Sequence, residues 1–460
     1  MTGQLLAVLL AISGHVAATE SAAPDAPGVH PPSGRGRLRT VGLYVWKDSP
    51  DQHAFWKACG IDTLQFCDTH WSLRADVLGP YYAALAADVD RARRSGFRVN
   101  VLLFSNIAQW EGPSEREPTG TGLLFDPRDP AALEKRLTAI ARAVRTLRHA
   151  HGFTLLAGDP GGAVGAPFGP VPAAEWVRMA KRVRDVVRRE APRAQFNVNP
   201  WAIAYWQRPD LGCGGHEWWS QEAELTRAVL ADPELVGSGT GVEIPPHHYY
   251  RPLALRCFEQ AGIAPERRPT AEDVRALRAR RVPRIWAWPY FLLDEADDGD
   301  VGPDGRAAGI QIEARYIHRL VAQMRAIGMD GIIGNWSYAG HLAKALNTYA
   351  FGRFCRDERA TPVQIIDEYA RCVADEATWS ALAQVLRYLE GESNWQRKLP
   401  PGERLPALPC DLATSEQALA TLGSVRPRPV PLFALPEPPS AYLRRIEQRL
   451  RARTAPREAR

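Results

Sequence analysis

Three carboxylates stand where apolar runs give way to turns. Asp159 closes "LLAGD" before Pro160-Gly161-Gly162. Glu243 lies in "GVEIPPHHYY" (241–250), and Asp294 opens "DEADDGDVGPDG" (294–305). A carboxyl group at the end of a buried strand is desolvated, so it holds its proton more tightly, which suits a general acid. A second carboxylate across a cleft can activate water or attack a carbon. Two such groups are the minimum set for glycoside hydrolysis. Each position also has a plainer reading. Asp159 can cap its turn, Glu243 can pair with an arginine inside the protein, and Asp294-Glu295 can be a solvated acidic loop.

The same run ends supply sugar-binding chemistry. Trp46, Trp201, Trp288 and Trp336 offer flat apolar faces for a sugar ring, though a tryptophan there can equally be packing. Asp68, His70, Asn106, Asn199, Asn335, His247 and Tyr249 offer hydrogen bonds to hydroxyls. Lys and Arg are scarce at these ends, and no serine sits in a nucleophile elbow. No metal is expected, because His247-His248 has no carboxylate at a zinc-like spacing. The acidic stretch after Asp294 lacks the ligand register of an EF-hand. A metal-dependent hydrolase or epimerase would need His70, Asp159, Glu243 and His247 to converge on one point. No cofactor is expected either. No GxGxxG turn follows the first apolar run, and "GNWSYAG" (334–340) lacks the glycine-rich, basic character of a phosphate site.

What must position these groups is a series of short continuous apolar runs. They are "VGLYVW" (41–46), "IDTLQF" (61–66), "RVNVLLF" (98–104), "FTLLA" (153–157), "AQFNVN" (194–199), "GTGVEI" (239–244), "PRIWAWPYF" (283–291) and "DGIIGNW" (330–336). Such runs fit strands buried on both faces. Helical patterns fill the gaps, as in "AALEKRLTAIARAVRTLRHA" and "IEARYIHRLVAQMRAIG". Ser49-Pro50 and Asp129-Pro130 read as caps followed by proline at the first helical position. Thr270 with Asp273 reads as a capping box. Gly96, Gly152 and Gly328 stand where a helix would stop. Eight β–α alternations predict a (β/α)8 barrel over 39–346, with its chemistry at the C-terminal strand ends. A doubly wound open sheet is the structural alternative.

The flanks differ from this body. "LLAVLLAI" (5–12) followed by Val16-Ala17-Ala18 reads as a signal peptide over 1–18, which predicts export. Residues 19–38 read as a linker. The apolar core of the leader is too short to span a bilayer, so no stable membrane insertion is expected once it is removed. After the barrel, 347–397 is helical, and 398–460 is a Pro-rich, basic tail expected to wrap the surface and end in a solvated helix. The chain has 460 residues and a net charge of +5, without basic runs interleaved with aromatics, so nucleic acid is not expected as a partner. Seven cysteines occur without a CxxC pair. In an exported protein that composition admits one or two disulfides.

The strand-end carboxylates, the "NW" at 335–336 and the stretch "LAKALNTYAFGRFCRDERATPVQIIDEYARCVA" resemble bacterial barrel glycoside hydrolases. The likeness is distant. It is nearest to alpha-glucuronidase-like and hexosaminidase-like enzymes, in which an Asn-x-Tyr-Ala-Phe-Gly-Arg run opens a helical segment behind the barrel. It covers roughly 40–375 and implies a carbohydrate substrate. The hexosaminidase pattern of adjacent Asp-Glu at strand four is replaced here by "GDPGG". The residues and the resemblance together lead us to expect a secreted glycoside hydrolase using Asp159, Glu243 and Asp294. A non-catalytic carbohydrate-binding barrel and a metal-dependent enzyme stand as alternatives. Sugar, linkage and oligomeric state stay open.

Overall fold

The computed structural model describes residues 38–45, 48–68, 75–105, 126–157, 171–201, 215–237, 239–245, 264–289, 312–335, 345–393 and 404–454. Eight parallel strands close into a barrel in chain order. They are β1 (Thr40–Val45), β2 (Thr63–Cys67), β3 (Arg98–Phe104), β4 (Gly152–Leu156), β5 (Gln195–Asn199), β6 (Thr240–Ile244), β7 (Ile285–Ala287) and β8 (Gly331–Asn335). The open doubly wound sheet is thereby excluded, since β1 pairs with β8 through Thr40 opposite Gly331. Among the described residues, eight helices alternate with the strands. They are α1 (His53–Ala58), α2 (Ala75–Arg94), α3 (Pro130–Thr146), α4 (Ala173–Glu190), α5 (Gly215–Ala231), α6 (Ala271–Ala279), α7 (Ala314–Ile327) and α8 (Ala345–Arg356).

Strand alternation sorts side chains into two cores. Val41, Leu43, Phe66, Val101, Leu155, Val198 and Ile244 point outward and pack with helix residues such as Leu137, Trp176, Val183 and Leu320. Tyr44, Cys67, Leu102, Leu156, Trp286 and Ile333 point into the barrel. Both faces of each strand are covered, which explains the unbroken apolar runs. β7 is shorter than its run suggests. Pro283 and Pro289 flank it, and neither can donate to a ladder.

Local signals fix the helix ends. Asp129 accepts from the N–H of Ala131 at 2.9 Å and of Ala132 at 3.4 Å. Thr270 and Asp273 form a reciprocal capping box. Ser49 precedes a short 3-10 turn, Pro50–Gln52, and makes no side-chain cap. Gly96 and Gly328 take left-handed backbone angles, φ +80° and +102°, which glycine adopts freely. Gly152 does not close a helix. It opens β4 between Asn100 and Gln195, where a Cβ would lie 3.1 Å from the Gln195 carbonyl.

The C-terminal segment is part of the same body. α9 (Pro362–Val373), α10 (Trp379–Gly391), α11 (Ser415–Gly423) and α12 (Pro439–Thr454) follow α8. The last helix is docked, not solvated: Tyr442, Ile446 and Leu450 are buried, and the Tyr442 ring meets Tyr369 at 5.4 Å. Arg444 and Arg451 face solvent, as on an amphipathic helix, whereas Arg449 is buried with the core-facing side chains. The expected surface wrap is interrupted by α11, which starts at a Thr414–Gln417 capping box. A clasp holds the segment before α11. Buried Arg315 pairs with Glu390 and donates to the carbonyls of Leu405 (3.3 Å) and Pro406 (2.8 Å).

The run "NTYAFGR" explains itself in place. Asn347 accepts from the Glu313 N–H at 2.9 Å, at the start of α7. Tyr349 stacks on Phe433 at 4.7 Å and donates to Glu368 at 2.8 Å. Arg353 makes two bonds to the same Glu368 at 3.0 Å. Gly352 lets α8 touch α1, since a Cβ there would sit 1.8 Å from the Cys59 carbonyl oxygen. Cys59, Cys355, Cys372 and Cys410 are free thiols and Cys67 is buried; Cys213 and Cys257 lie outside the described residues.

Gly352→Ala should therefore lower stability by about 1–3 kcal/mol in urea denaturation, the usual cost of overpacking. Gly391→Ala, with nothing within 4 Å of the added carbon, should change it by less than about 1 kcal/mol.

Candidate active site

The site is built on the C-terminal ends of the strands. β1, β5 and β7 bring three rings together there. Trp288, just past β7, meets Tyr44 at 5.4 Å and Trp201 at 5.5 Å, both edge to face. All three are buried, so they form a layer that closes the barrel interior at this end. Trp201 and Trp288 are two of the four tryptophans expected at the rim. Their geometry is that of a packed floor, with edge-to-face contacts that favour a fixed arrangement.

Asp68 leaves β2 at the same end and is buried. It accepts from the Tyr82 hydroxyl at 2.9 Å, and its N–H donates to the Leu102 carbonyl at 2.9 Å. Burial, then the negative charge of Asp68, push the Tyr82 phenol well above its ordinary range. Arg136 of α3 lies near both and caps the Phe104 carbonyl at the end of β3. Asn199 ends β5, fully buried, and accepts from the Trp201 N–H at 3.0 Å. Asn335 ends β8, with its Cα opposite Tyr44. Trp46, His70, Asn106, Asp159, His247, Tyr249, Asp294 and Trp336 lie outside the described residues.

Glu243 is not at the rim. It is the fourth residue of β6, points into the barrel and has no exposed surface. Its carboxyl contacts Gln65 Nε2 at 3.0 Å through both oxygens, Thr154 Oγ1 at 2.5 Å and Asn197 Nδ2 at 3.2 Å. Gln65 and Thr154 also reach Asn100 Oδ1, at 3.1 and 2.9 Å. The Trp288 indole donates to Gln65 Oε1 at 2.7 Å, so the aromatic floor is tied to the polar layer beneath it. Arg284 of the β7 approach donates to Asn197 at 2.8 Å and to the carbonyls of Phe196 and Gly239. The expected arginine partner of Glu243 thus exists at one remove, across an amide. Burial raises the Glu243 pKa; bonds from Thr154, Gln65 and Asn197 oppose it.

Sequence reading passed over this layer. Gln65, Asn100, Thr154 and Asn197 each sit mid-strand among apolar neighbours. Their shared feature is the period of two, which places one polar residue of each strand on the inner face.

A second constellation lies outside the barrel. His53 contacts Asp48 at 2.7 Å through Nε2 and Ser95 Oγ at 2.8 Å through Nδ1. The order resembles a hydrolytic triad, but the N–H groups of Ser95, Gly96 and Phe97 all donate to carbonyls of α2. Those amides are not free to stabilise an oxyanion. Arg91 also grips Asp48 at 2.7 Å, and the cluster ties α1 to α2 as a brace.

No family model and no curated protein matches the chain. Solved structures that align with it include an O-GlcNAc hydrolase of Thermobaculum terrenum, at 12% identity over 84% of this chain and 74% of that one, TM-score 0.45. An exo-beta-1,4-mannosidase from an Opitutaceae bacterium aligns at 14% identity over 71% and 62%, TM-score 0.40. A glycoside hydrolase family 5 enzyme from Prevotella bryantii aligns at 13% identity over 70% and 93%, TM-score 0.41. These neighbours are glycoside hydrolases; the likeness concerns the path of the chain.

Two outcomes follow from the interior. Trp288→Phe leaves Gln65 Oε1 without its donor and should cost about 1–3 kcal/mol in urea denaturation. The folded protein holds the Glu243 proton more tightly than the unfolded chain, whose carboxyl titrates near 4.5. The linked stability is complete below that pH and is lost as pH rises through the folded value. In Glu243→Gln this decline should vanish from urea midpoints followed across that window.

Proposed function

We propose that the protein is an exported glycoside hydrolase acting on a carbohydrate at the C-terminal face of its barrel. The observation that carries this reading is the rim itself. An aromatic floor of Tyr44, Trp201 and Trp288 closes the interior at that end, where Asp68 leaves β2 and Asn199 ends β5. Barrel enzymes keep their chemistry on this face. Both proposed carboxylates lie outside the described residues: in sequence Asp159 follows Ala157 by two residues, and Asp294 follows Ala287, the last residue of β7, by seven.

In this reading Asp159 protonates the leaving oxygen, and Asp294 activates water or attacks the anomeric carbon. Glu243 is a poor candidate for the second role, because its oxygens are enclosed and already engaged by three side chains. A carboxyl separation of roughly 5–5.5 Å would give retention and 6.5–9.5 Å inversion. Trp46 and Trp336, with Asn106 and Asn335, would hold the sugar ring and its hydroxyls, since Trp201, Trp288 and Asn199 are buried.

A screen of aryl glycosides and cell-wall oligosaccharides, with wild type beside Asp159→Asn and Asp294→Asn, tests the proposal. Wild type should hydrolyse at least one class. Asp159→Asn should lose about 10²–10⁴-fold on substrates with poor leaving groups, and less on activated aryl glycosides. Full activity of Asp159→Asn on a poor leaving group would overturn the acid assignment. Saturable oligosaccharide binding without turnover would favour the non-catalytic barrel. The mature N-terminus of protein secreted by a bacterial host should begin near residue 19; an intact Met1 would overturn export.

A further inference from the structure

The protonation of Glu243 can be read from the hydrogens around it. Two donor-only groups orient the amides. The Trp288 indole N–H cannot accept, so the Gln65 atom 2.7 Å from it is the carbonyl oxygen. Gln65 therefore turns its NH2 toward Asn100 Oδ1 and the Glu243 carboxyl, at 3.1 and 3.0 Å. The Arg284 guanidinium, also a pure donor, takes Asn197 Oδ1 at 2.8 Å and so aims Asn197 Nδ2 at Glu243. Thr154 Oγ1 lies between two acceptors, Asn100 Oδ1 at 2.9 Å and Glu243 Oε1 at 2.5 Å.

Each of these contacts needs a hydrogen between its heavy atoms. Gln65 supplies one to Asn100 and one to Glu243, and Asn197 supplies one to Glu243. Thr154 has a single hydroxyl hydrogen for two contacts. With an ionised carboxylate, one Thr154 contact would set two oxygens face to face with no hydrogen between them. A proton on Glu243 removes the conflict: the acid donates to Thr154, and Thr154 donates to Asn100.

We propose that Glu243 is a neutral carboxylic acid that donates to Thr154 and, through Gln65, acts as a positioning residue for the Trp288 indole. The surroundings agree. β2, β3, β4 and β5 present Gln65, Asn100, Thr154 and Asn197 to the carboxyl, all uncharged. From β7 faces Arg284, with Asp330 beyond it. The guanidinium favours an anion, but the Asn197 amide stands between, and three of its bonds go to Asn197, Phe196 and Gly239. Full burial opposes an isolated charge more strongly.

Infrared difference spectra of the full chain at neutral pH test the protonation. Wild type minus Glu243→Gln should show the carbonyl stretch of a protonated carboxylic acid. A carboxylate band in its place would overturn the proposal. The Trp288 indole N–H resonance, assigned by its loss in Trp288→Phe, tests the positioning. It should move little in Glu243→Gln, whose amide can donate to Thr154 but then faces the Asn197 amide donor to donor, and should move further in Glu243→Leu. An unmoved resonance in Glu243→Leu, or an equal displacement in both variants, would overturn it. If Glu243→Leu does not fold, the infrared band and the Glu243→Gln resonance decide. Neither readout needs a substrate, so failure of the hydrolase reading would leave them standing.

Discussion

The barrel depends on satisfying polar groups that its own closure takes out of water. Eight strands that all face a sealed interior leave no solvent for the carboxyl of Glu243, the three amides of Gln65, Asn100 and Asn197, and the hydroxyl of Thr154. Each must find a partner among the others, because an unpaired one costs on the order of 1–3 kcal/mol. Gln65 is the hinge of this arrangement. It meets Glu243 and Asn100 with its amide nitrogen and Trp288 with its oxygen. Polar satisfaction below and aromatic packing above thereby become one constraint. A partly satisfied network would be worse than an apolar core; a fully satisfied one specifies a single arrangement.

Much of the fold was legible because burial on both strand faces leaves a direct mark. Every one of the eight apolar runs became a strand, with shifts of a residue or two at most ends. Capping chemistry was equally readable at Asp129 and Thr270, where the side chain reaches a backbone N–H two or three residues ahead. Gly152 misled because glycine serves two purposes. At Gly96 and Gly328 it permits a left-handed turn, whereas at Gly152 it permits a close approach to the Gln195 backbone. The tail was harder: its proline content marks irregular chain, but it says nothing about whether Tyr442 and Ile446 find a surface to bury against.

The candidate site was less legible, for a physical reason. A carboxylate near a strand end can point to the rim or into the barrel, and one residue of register decides which. Glu243 stands one residue before the end of β6 and faces inward. The interior layer escaped notice because its members are spread over four strands and converge only when the sheet closes. The same holds for Asp48, His53 and Ser95, whose separation in sequence hides a contact made across α1 and α2.

The pairing of Thr40 with Gly331 joins the first strand to the last. The cylinder cannot shut until β8 has been made, by which point nearly three quarters of the chain exists. Until then no closed interior exists to keep water from Glu243 and its amides. Closure of so distant a pair is slow. The event that expels this water is also the one that fixes the charge of the core, so the order of folding and the electrostatics of the finished molecule are set by the same seam.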